Sequence, residues 1–472
     1  MPFDFDETFR TALASSARRY AEHVNPRFAR ALGLIGFDHT YVRAQGPYLW
    51  DADGRRYLDM LAGYGVFNIG RNHPVVKTAL ADFMERDVAS LVQMELSPLV
   101  ALAAERLKEK VGLGLDYVYF GSTGAEANET AIKFARRTTG RSRILHATSA
   151  FHGLTTGALA LNGSAVFREG FGPLTESTCV PFGDLEALEA ELQKGDVAAF
   201  FVEPVQGKGV HVAPPGYLPA AARLCHAHGA LFVVDEVQTG VARTGRFLAL
   251  HHEPEMHADA AARPDMVLMS KALSGGFVPV SAVLMTSEIY DAVFSSLDRA
   301  VVHSSTFGKS AFAATALLAT LAVVEDENLA ARAEEMGRRL VDGLQALQAD
   351  FEFMHAVRGR GLMVAIDFGP PRTLKLKAAW KTVHALNPDL FCQAVTMPLL
   401  TDHGILTQVA GHNMTTIKLI PPLVIGEEDV ACFLDAFRQV MEGLHRFPGP
   451  AWESLMRIGR NAGRLARAGT VG

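Results

Sequence analysis

The chain of 472 residues is 49% hydrophobic and 20% charged, the composition of a water-soluble globular protein that is too long for one simple core. A net charge of -6 argues against a nucleic-acid partner, and four cysteines spread over positions 179, 225, 392 and 432 argue against a disulfide framework or a zinc site. They read as buried thiols in a reducing compartment. No apolar run reaches the roughly 18–20 residues needed to span a bilayer, and the acidic residues 1–7 lack the pattern of a signal peptide; no membrane partner and a cytoplasmic location are expected.

Residues 1–40 carry helical spacing without chemistry. Residues 48–59 alternate around Asp53-Gly54, which predicts a hairpin. A glycine-rich stretch follows, with Gly63, Gly65 and Gly70 set among aromatic side chains that include Tyr64. Those glycines permit close backbone approach, to a ligand or to a neighbouring strand. A helix begins after Pro74. From about residue 100 short apolar runs alternate with helical segments, predicting strands at 115–120, 143–146, 198–202, 230–234, 266–269 and 281–285, and a helix at 125–137. That alternation predicts an α/β fold: a mostly parallel sheet with helices on both faces, binding its ligand at the carboxyl ends of the strands. Beyond residue 325 a helix at 329–347 and strands at 364–368 and 416–420 predict a smaller α+β domain. We therefore expect a large ligand-binding domain over 76–325 and a small domain over 326–472, to which an N-terminal segment, 1–75, also contributes. The tail places Arg457, Arg460, Arg464 and Arg467 at helical spacing, as on a solvated basic helix.

The strand at 115–120 delivers Gly121, Ser122, Thr123, Gly124 and Ala125 to a helix start. This is either a routine hydroxyl cap or an anion seat suited to a phosphate. No GxGxxG, HExxH or Gly-x-Ser-x-Gly pattern occurs, and Gly308-Lys309-Ser310 lacks the glycine of an ATP-binding loop, where His303 stands. The run at 230–234 ends on Asp235 and Glu236. A carboxylate there is expensive to leave unpaired; a salt bridge, a metal or a protonated nitrogen would satisfy it, and no further metal ligands cluster nearby. Glu203 follows another strand, and Phe151 with His152 follows a third. The run at 266–269 stops on Ser270-Lys271, where a lysine either keeps its head in water or is desolvated into a nucleophile. A phosphate seat, an aromatic plate, acids and a lysine at the strand tips form the set that pyridoxal 5′-phosphate uses.

Collected, these residues resemble the class III, fold-type I aminotransferases, from about residue 45 to 440. The likeness is carried by Val233-Val-Asp-Glu-Val-Gln-Thr-Gly, then Ser270-Lys-Ala-Leu-Ser-Gly-Gly, with Phe151-His-Gly, Glu203-Pro-Val-Gln-Gly and His303-Ser-Ser-Thr-Phe-Gly in family order. The resemblance implies that Lys271 binds the cofactor as a Schiff base and shuttles a proton, while Asp235 pairs with the pyridinium nitrogen. It implies that Phe151 and Val237 enclose the ring, that Gln238 bonds the ring hydroxyl, and that His152 and Glu203 stand close by. Thr123, Gly124 and Ala125 would hold the phosphate, joined by Thr306 from the second subunit of a homodimer. The implied reaction moves an amino group from a small-molecule amine to a 2-oxo acid such as pyruvate or 2-oxoglutarate, with no metal.

The stretches at 61–74, 151–159 and 180–185 are most similar to putrescine and related diamine aminotransferases. Relatives acting on ω-amino acids have an arginine where Lys418 stands and a glutamate where Lys208 stands. The loop at Gly308-Lys309-Ser310 also departs from the common Gly-Gly-Asn-Pro. Tyr64, Lys208 and Lys418 are thus the candidate substrate residues. Lysine lacks the bidentate fork of arginine, so a primary amine or diamine is the expected donor. An ornithine, acetylornithine or 4-aminobutyrate aminotransferase is the alternative, as is a racemase or aminomutase of the same fold.

Overall fold

A computed structural model describes residues 3–386, 390–411, 415–449 and 452. Three helices, Phe5–Leu13, Ser16–His23 and Pro26–Leu34, lead into β1 (Tyr41–Gln45), β2 (Tyr48–Asp51) and β3 (Arg56–Asp59). The predicted hairpin is β2–β3. Its turn is tied by the Asp51 carboxylate, which accepts from the N–H groups of Asp53 at 3.1 Å and Arg55 at 2.9 Å.

The large sheet contains β4 (Tyr117–Gly121), β5 (Arg143–Ala147), β6 (Ser177–Val180), β7 (Val197–Val202), β8 (Leu231–Asp235), β9 (Met266–Met269) and β10 (Ser281–Met285). Their order is β4-β10-β9-β8-β7-β5-β6. Only β10 runs antiparallel to its neighbours β4 and β9; the rest run in one direction. The ends of β4, β5, β7, β8 and β9 therefore share one rim.

β5, β7, β9 and β10 are buried along their whole length; β7 and β9 accordingly read as unbroken apolar runs, while β5 also buries Arg143 and His146. Alternate residues serve opposite faces. Phe200, Val202, Phe232 and Val234 pack toward the helices Pro98–Val111, Tyr217–Ala227 and Ala311–Asp326, whereas Ala199, Phe201, Val233 and Leu268 pack against Ala127, Ala131 and Phe134 of the helix Gly124–Thr139. Each buried Phe or Val contributes about 1.5–3 kcal/mol, so the rim rests on a rigid base.

A second layer holds β11 (Met354–Arg360) and β12 (Met363–Phe368), followed by β13 (Ile405–Leu406), β14 (Gln408–Val409) and β15 (Thr416–Leu419). Among them β11-β12-β15-β14 form an antiparallel sheet, while β13 joins β3 in parallel and completes the N-terminal sheet. Lys418 is thereby placed between Ala365 and Gln408.

Several expectations are corrected. The first large-sheet strand begins at Tyr117, because pairing with β10 starts at Tyr117 opposite Met285, and Leu115 is buried ahead of it. Cys179 and Cys432 are exposed, while Cys225 and Cys392 are buried as expected. Gly70 approaches a strand: a Cβ there would lie 3.0 Å from the Gly46 Cα, and its φ of +81° suits glycine. The arginines at 457, 460, 464 and 467 lie outside the described residues. No helix among the described residues is long and apolar enough to cross a membrane.

Candidate active site

The strand rim opens into a cavity of about 650 Å³. Its floor is the start of the helix Gly124–Thr139. The Thr123 hydroxyl accepts from the Glu126 N–H at 3.1 Å and the Glu126 carboxylate accepts from the Ser122 N–H at 2.7 Å, which fixes the first turn. The N–H groups of Gly124 and Ala125 make no hydrogen bond among the described residues, and both residues line the cavity. Free N–H groups at the positive end of a helix dipole form an anion seat. Thr123 is thus a cap, and the seat is the backbone that follows it. Gly124 has no room for a side chain, since a Cβ would lie 2.8 Å from Val237 Cγ1.

Asp235 ends β8, opposite Leu268 of β9, and is buried. Its Oδ2 accepts from Asn128 Nδ2 at 3.0 Å and lies 2.8 Å from His152 Nδ1, and its Oδ1 accepts from the Val237 N–H at 3.0 Å. An ionised carboxylate only accepts, so Nδ1 carries the proton. Burial opposes the charge on Asp235, but His152, Asn128 and Val237 outweigh it and hold the carboxyl below its ordinary value. Burial likewise opposes a proton on His152, and Asp235 reverses that, raising the imidazole above its usual range. His152 Nε2 is buried without a partner among the described residues. The result is a fixed negative charge facing the cavity.

Glu203 follows β7 and is buried, which pushes its carboxyl up. It accepts from the N–H groups of Phe151 at 3.1 Å and Gly207 at 2.8 Å, so it holds the aromatic plate and the next turn together. Phe151 meets Phe167 edge-on, with ring centres 5.7 Å apart.

Lys271 begins a tight turn directly after β9, with a left-handed φ of +43°. A lysine held in that region stores backbone strain, as functional residues often do. Burial pushes its amine below the ordinary lysine value, against the pull of Asp235 and Glu203. Its Nζ makes no hydrogen bond or ion pair among the described residues, so a reactive amine stands free at the cavity wall.

The predicted residues Tyr64, Thr123, Gly124, Ala125, Phe151, His152, Glu203, Lys208, Asp235, Val237, Gln238, Lys271 and Lys418 all line this one cavity. Thr306 does not line it; its carbonyl accepts from Gln93 Nε2 at 3.1 Å. Gln238 Nε2 donates to the Tyr64 carbonyl at 2.8 Å and its Oε1 lies 3.3 Å from Lys418 Nζ. Sequence reading missed Asn128, Phe167 and Gln408. Asn128 had a signal, being polar one turn after Gly124 on an otherwise apolar helix face. Phe167 and Gln408 had none.

Residues 36–441 match the family aminotransferase class-III. The chain belongs to the class-III aminotransferases. It is 33% identical to the aminotransferase PigE of Serratia sp. (strain ATCC 39006) in an alignment that covers 91% of this chain, and it spans about half (53%) of that relative. Among solved structures it is similar to the ornithine aminotransferase of Toxoplasma gondii, at 32% identity and TM-score 0.75 over 86% of this chain and 92% of that one. An (S)-enantioselective omega-transaminase from Thermomicrobium roseum aligns at 28% identity and TM-score 0.77, over 92% of this chain and 99% of the other. The fold is therefore that of the fold-type I transferases, and the cofactor is pyridoxal 5′-phosphate. The cavity fits it: unpaired N–H groups for the phosphate, a buried carboxylate of lowered pKa for the ring nitrogen, and a free amine for the carbonyl.

Proposed function

We propose that the protein moves an amino group from a primary amine or diamine of putrescine type to a 2-oxo acid such as pyruvate or 2-oxoglutarate. One observation carries the choice of donor: no arginine is among the described residues lining the cavity, so no guanidinium fork is offered to a donor carboxylate.

Bound pyridoxal 5′-phosphate supplies a carbonyl carbon that takes up the amino group and a ring that accepts the electron pair released from the substrate carbon. In this reading Lys271 would hold the cofactor through that carbonyl carbon and, when released by the donor amine, would carry the proton from the substrate carbon to that cofactor carbon, and in the opposite sense in the second half-reaction. Burial suits it to that task, because only the neutral amine is a base. Asp235, held ionised by His152 and Asn128, keeps a proton on the facing ring nitrogen. Gly124 and Ala125 hold the phosphate; Phe151 and Val237 bracket the ring. Thr306, which lies outside the cavity of its own chain, would complete the partner site of a homodimer, and a cytoplasmic location belongs to the same reading.

The test is a donor panel of putrescine, cadaverine, ornithine and 4-aminobutyrate, each with pyruvate and with 2-oxoglutarate. The diamines should exceed the amino acids in kcat/KM by about tenfold or more, the effect of 1.4 kcal/mol. Preference for ornithine or 4-aminobutyrate would overturn the choice of donor. Racemisation without transfer would overturn the reaction class.

A further inference from the structure

Lys208 and Lys418 both line the cavity, but their surroundings differ. Lys418 is buried, and its Nζ donates to the Gly207 carbonyl at 2.8 Å and lies 3.3 Å from Gln238 Oε1. Each acceptor is itself held. The Gly207 N–H donates to Glu203 at 2.8 Å, and Gln238 Nε2 donates to the Tyr64 carbonyl at 2.8 Å. A Cβ on Gly207 would lie 2.8 Å from Gln238 Oε1, so the glycine leaves room for the Gln238 amide and the Lys418 ammonium bridges the two residues. Two of the three donors on Lys418 are spent on the protein.

Lys208 is the next residue on this pinned turn. It has no hydrogen bond or ion pair among the described residues, and its Nζ lies 5.0 Å from the Phe151 ring centre and 5.3 Å from that of Phe167. Aromatic faces hold a cation in place without neutralising it. A partly exposed, unpaired ammonium on an aromatic shelf is ready for an anion.

We propose that the two lysines divide the work: Lys418 is a positioning residue that fixes the Gly207 turn and the Gln238 amide, and Lys208 is the cation that receives the carboxylate of the 2-oxo acid. This rests on the amino-transfer reading. Burial pushes the Lys418 amine down to about 7, helped by the charges of Lys271 and Lys208, and burial also lowers the Lys208 amine, there against the pull of Glu203; what separates the two lysines is their bonding. A carboxylate seeking Lys418 would also have to share its bonds to Gly207 and Gln238. At Lys208 it breaks nothing. A cationic amine donor, by contrast, is repelled by Lys208 and has no use for it. The acceptor should therefore depend on Lys208 and the donor should not.

The holoenzyme and its K208Q, K418M and K418R variants test this with putrescine against pyruvate and 2-oxoglutarate, alongside the absorbance spectrum of the bound cofactor. K208Q should raise the KM of the 2-oxo acids about tenfold or more, leave the KM of putrescine no higher, and leave the spectrum unchanged. K418M should shift the spectrum and lower kcat, and K418R, which keeps a donor for both oxygens, should restore both. An unchanged 2-oxo acid KM in K208Q, or a K418M defect confined to that KM, would overturn the division. If no amine is a donor even for the wild type, the functional reading fails instead. Titrating 2-oxoglutarate into protein loaded with pyridoxamine 5′-phosphate then tests Lys208 without turnover: binding about tenfold weaker in K208Q supports it, and equal binding overturns it.

Discussion

Gly124→Ala is expected to weaken cofactor binding although alanine is the better helix former by up to about 1 kcal/mol. The added Cβ would lie 2.8 Å from Val237 Cγ1 and 3.1 Å from Cγ2. Carbon atoms in contact prefer about 3.5–4.0 Å, so one side must yield by about 0.7 Å or more. Val237 yields poorly: its branched side chain is stiff at χ1, and its N–H is tied to Asp235 Oδ1 at 3.0 Å. The overpacking should cost about 1–3 kcal/mol, shared between a displaced helix start and a displaced Val237. The former moves the free N–H groups and the latter moves the Asp235 contact, so both are felt as a pyridoxal 5′-phosphate affinity roughly 10–100-fold weaker. Titrating apoprotein with the cofactor by absorbance measures this, and thermal unfolding measures the strain. Val237→Ala removes both offending methyl groups, so the double variant should recover about 1–2 kcal/mol relative to the sum of the singles. A Gly124→Ala protein that binds the cofactor like wild type, or a loss that Val237→Ala does not relieve, would refute the reasoning.

Lys271→Ala should abolish the absorbance of covalently bound cofactor and lower kcat by about three orders of magnitude or more, with the fold intact by circular dichroism. Asp235→Asn removes the charge and presents an amide N–H to one of three donors; kcat should fall by about 10²–10³ and stability by about 1–3 kcal/mol, read by steady-state kinetics and urea unfolding. Lys418 gives a pH signature in the cofactor-free protein. Its folded pKa, about 7, is below its ordinary 10.5, so between those values the unfolded chain holds a proton that the native chain has released, and stability gains with rising pH. The groups acting on it are Lys271, Lys208, Glu203 and Arg243. Denaturant unfolding at pH 7, 8.5 and 10 should show wild type gaining on Lys418→Met by up to about 1.4 kcal/mol per pH unit; a pH-independent gap would contradict a depressed amine.

The catalytic end of the cavity was legible because it is written in local order. In a sheet covered on both faces an apolar run must stop where the strand leaves the core, so the polar residue that stops it stands on the rim. Asp235, Glu203 and Lys271 were all found by that rule. The strands it missed include ones whose exposure breaks the run: β6 is Ser-Thr-Cys-Val at a sheet edge, and β1 and β11 are partly exposed over most of their length. The same limit hid the far end of the cavity. Phe167 comes from a four-residue helix and Gln408 from a two-residue strand, neither long enough to show a period.

Residue identity alone also posed questions that only placement resolves. Thr123 read as either a cap or a phosphate ligand, yet its hydroxyl caps the helix while the next two N–H groups stay free, so the two readings are compatible. Lys208 and Lys418 read as lysines standing where relatives carry a glutamate and an arginine. What separates them is the Gly207 peptide, whose N–H is held by Glu203 and whose carbonyl is held by Lys418. A turn clamped at both ends spends one lysine to aim the other, so that a cavity with no arginine among its described lining residues can still present a positioned positive charge.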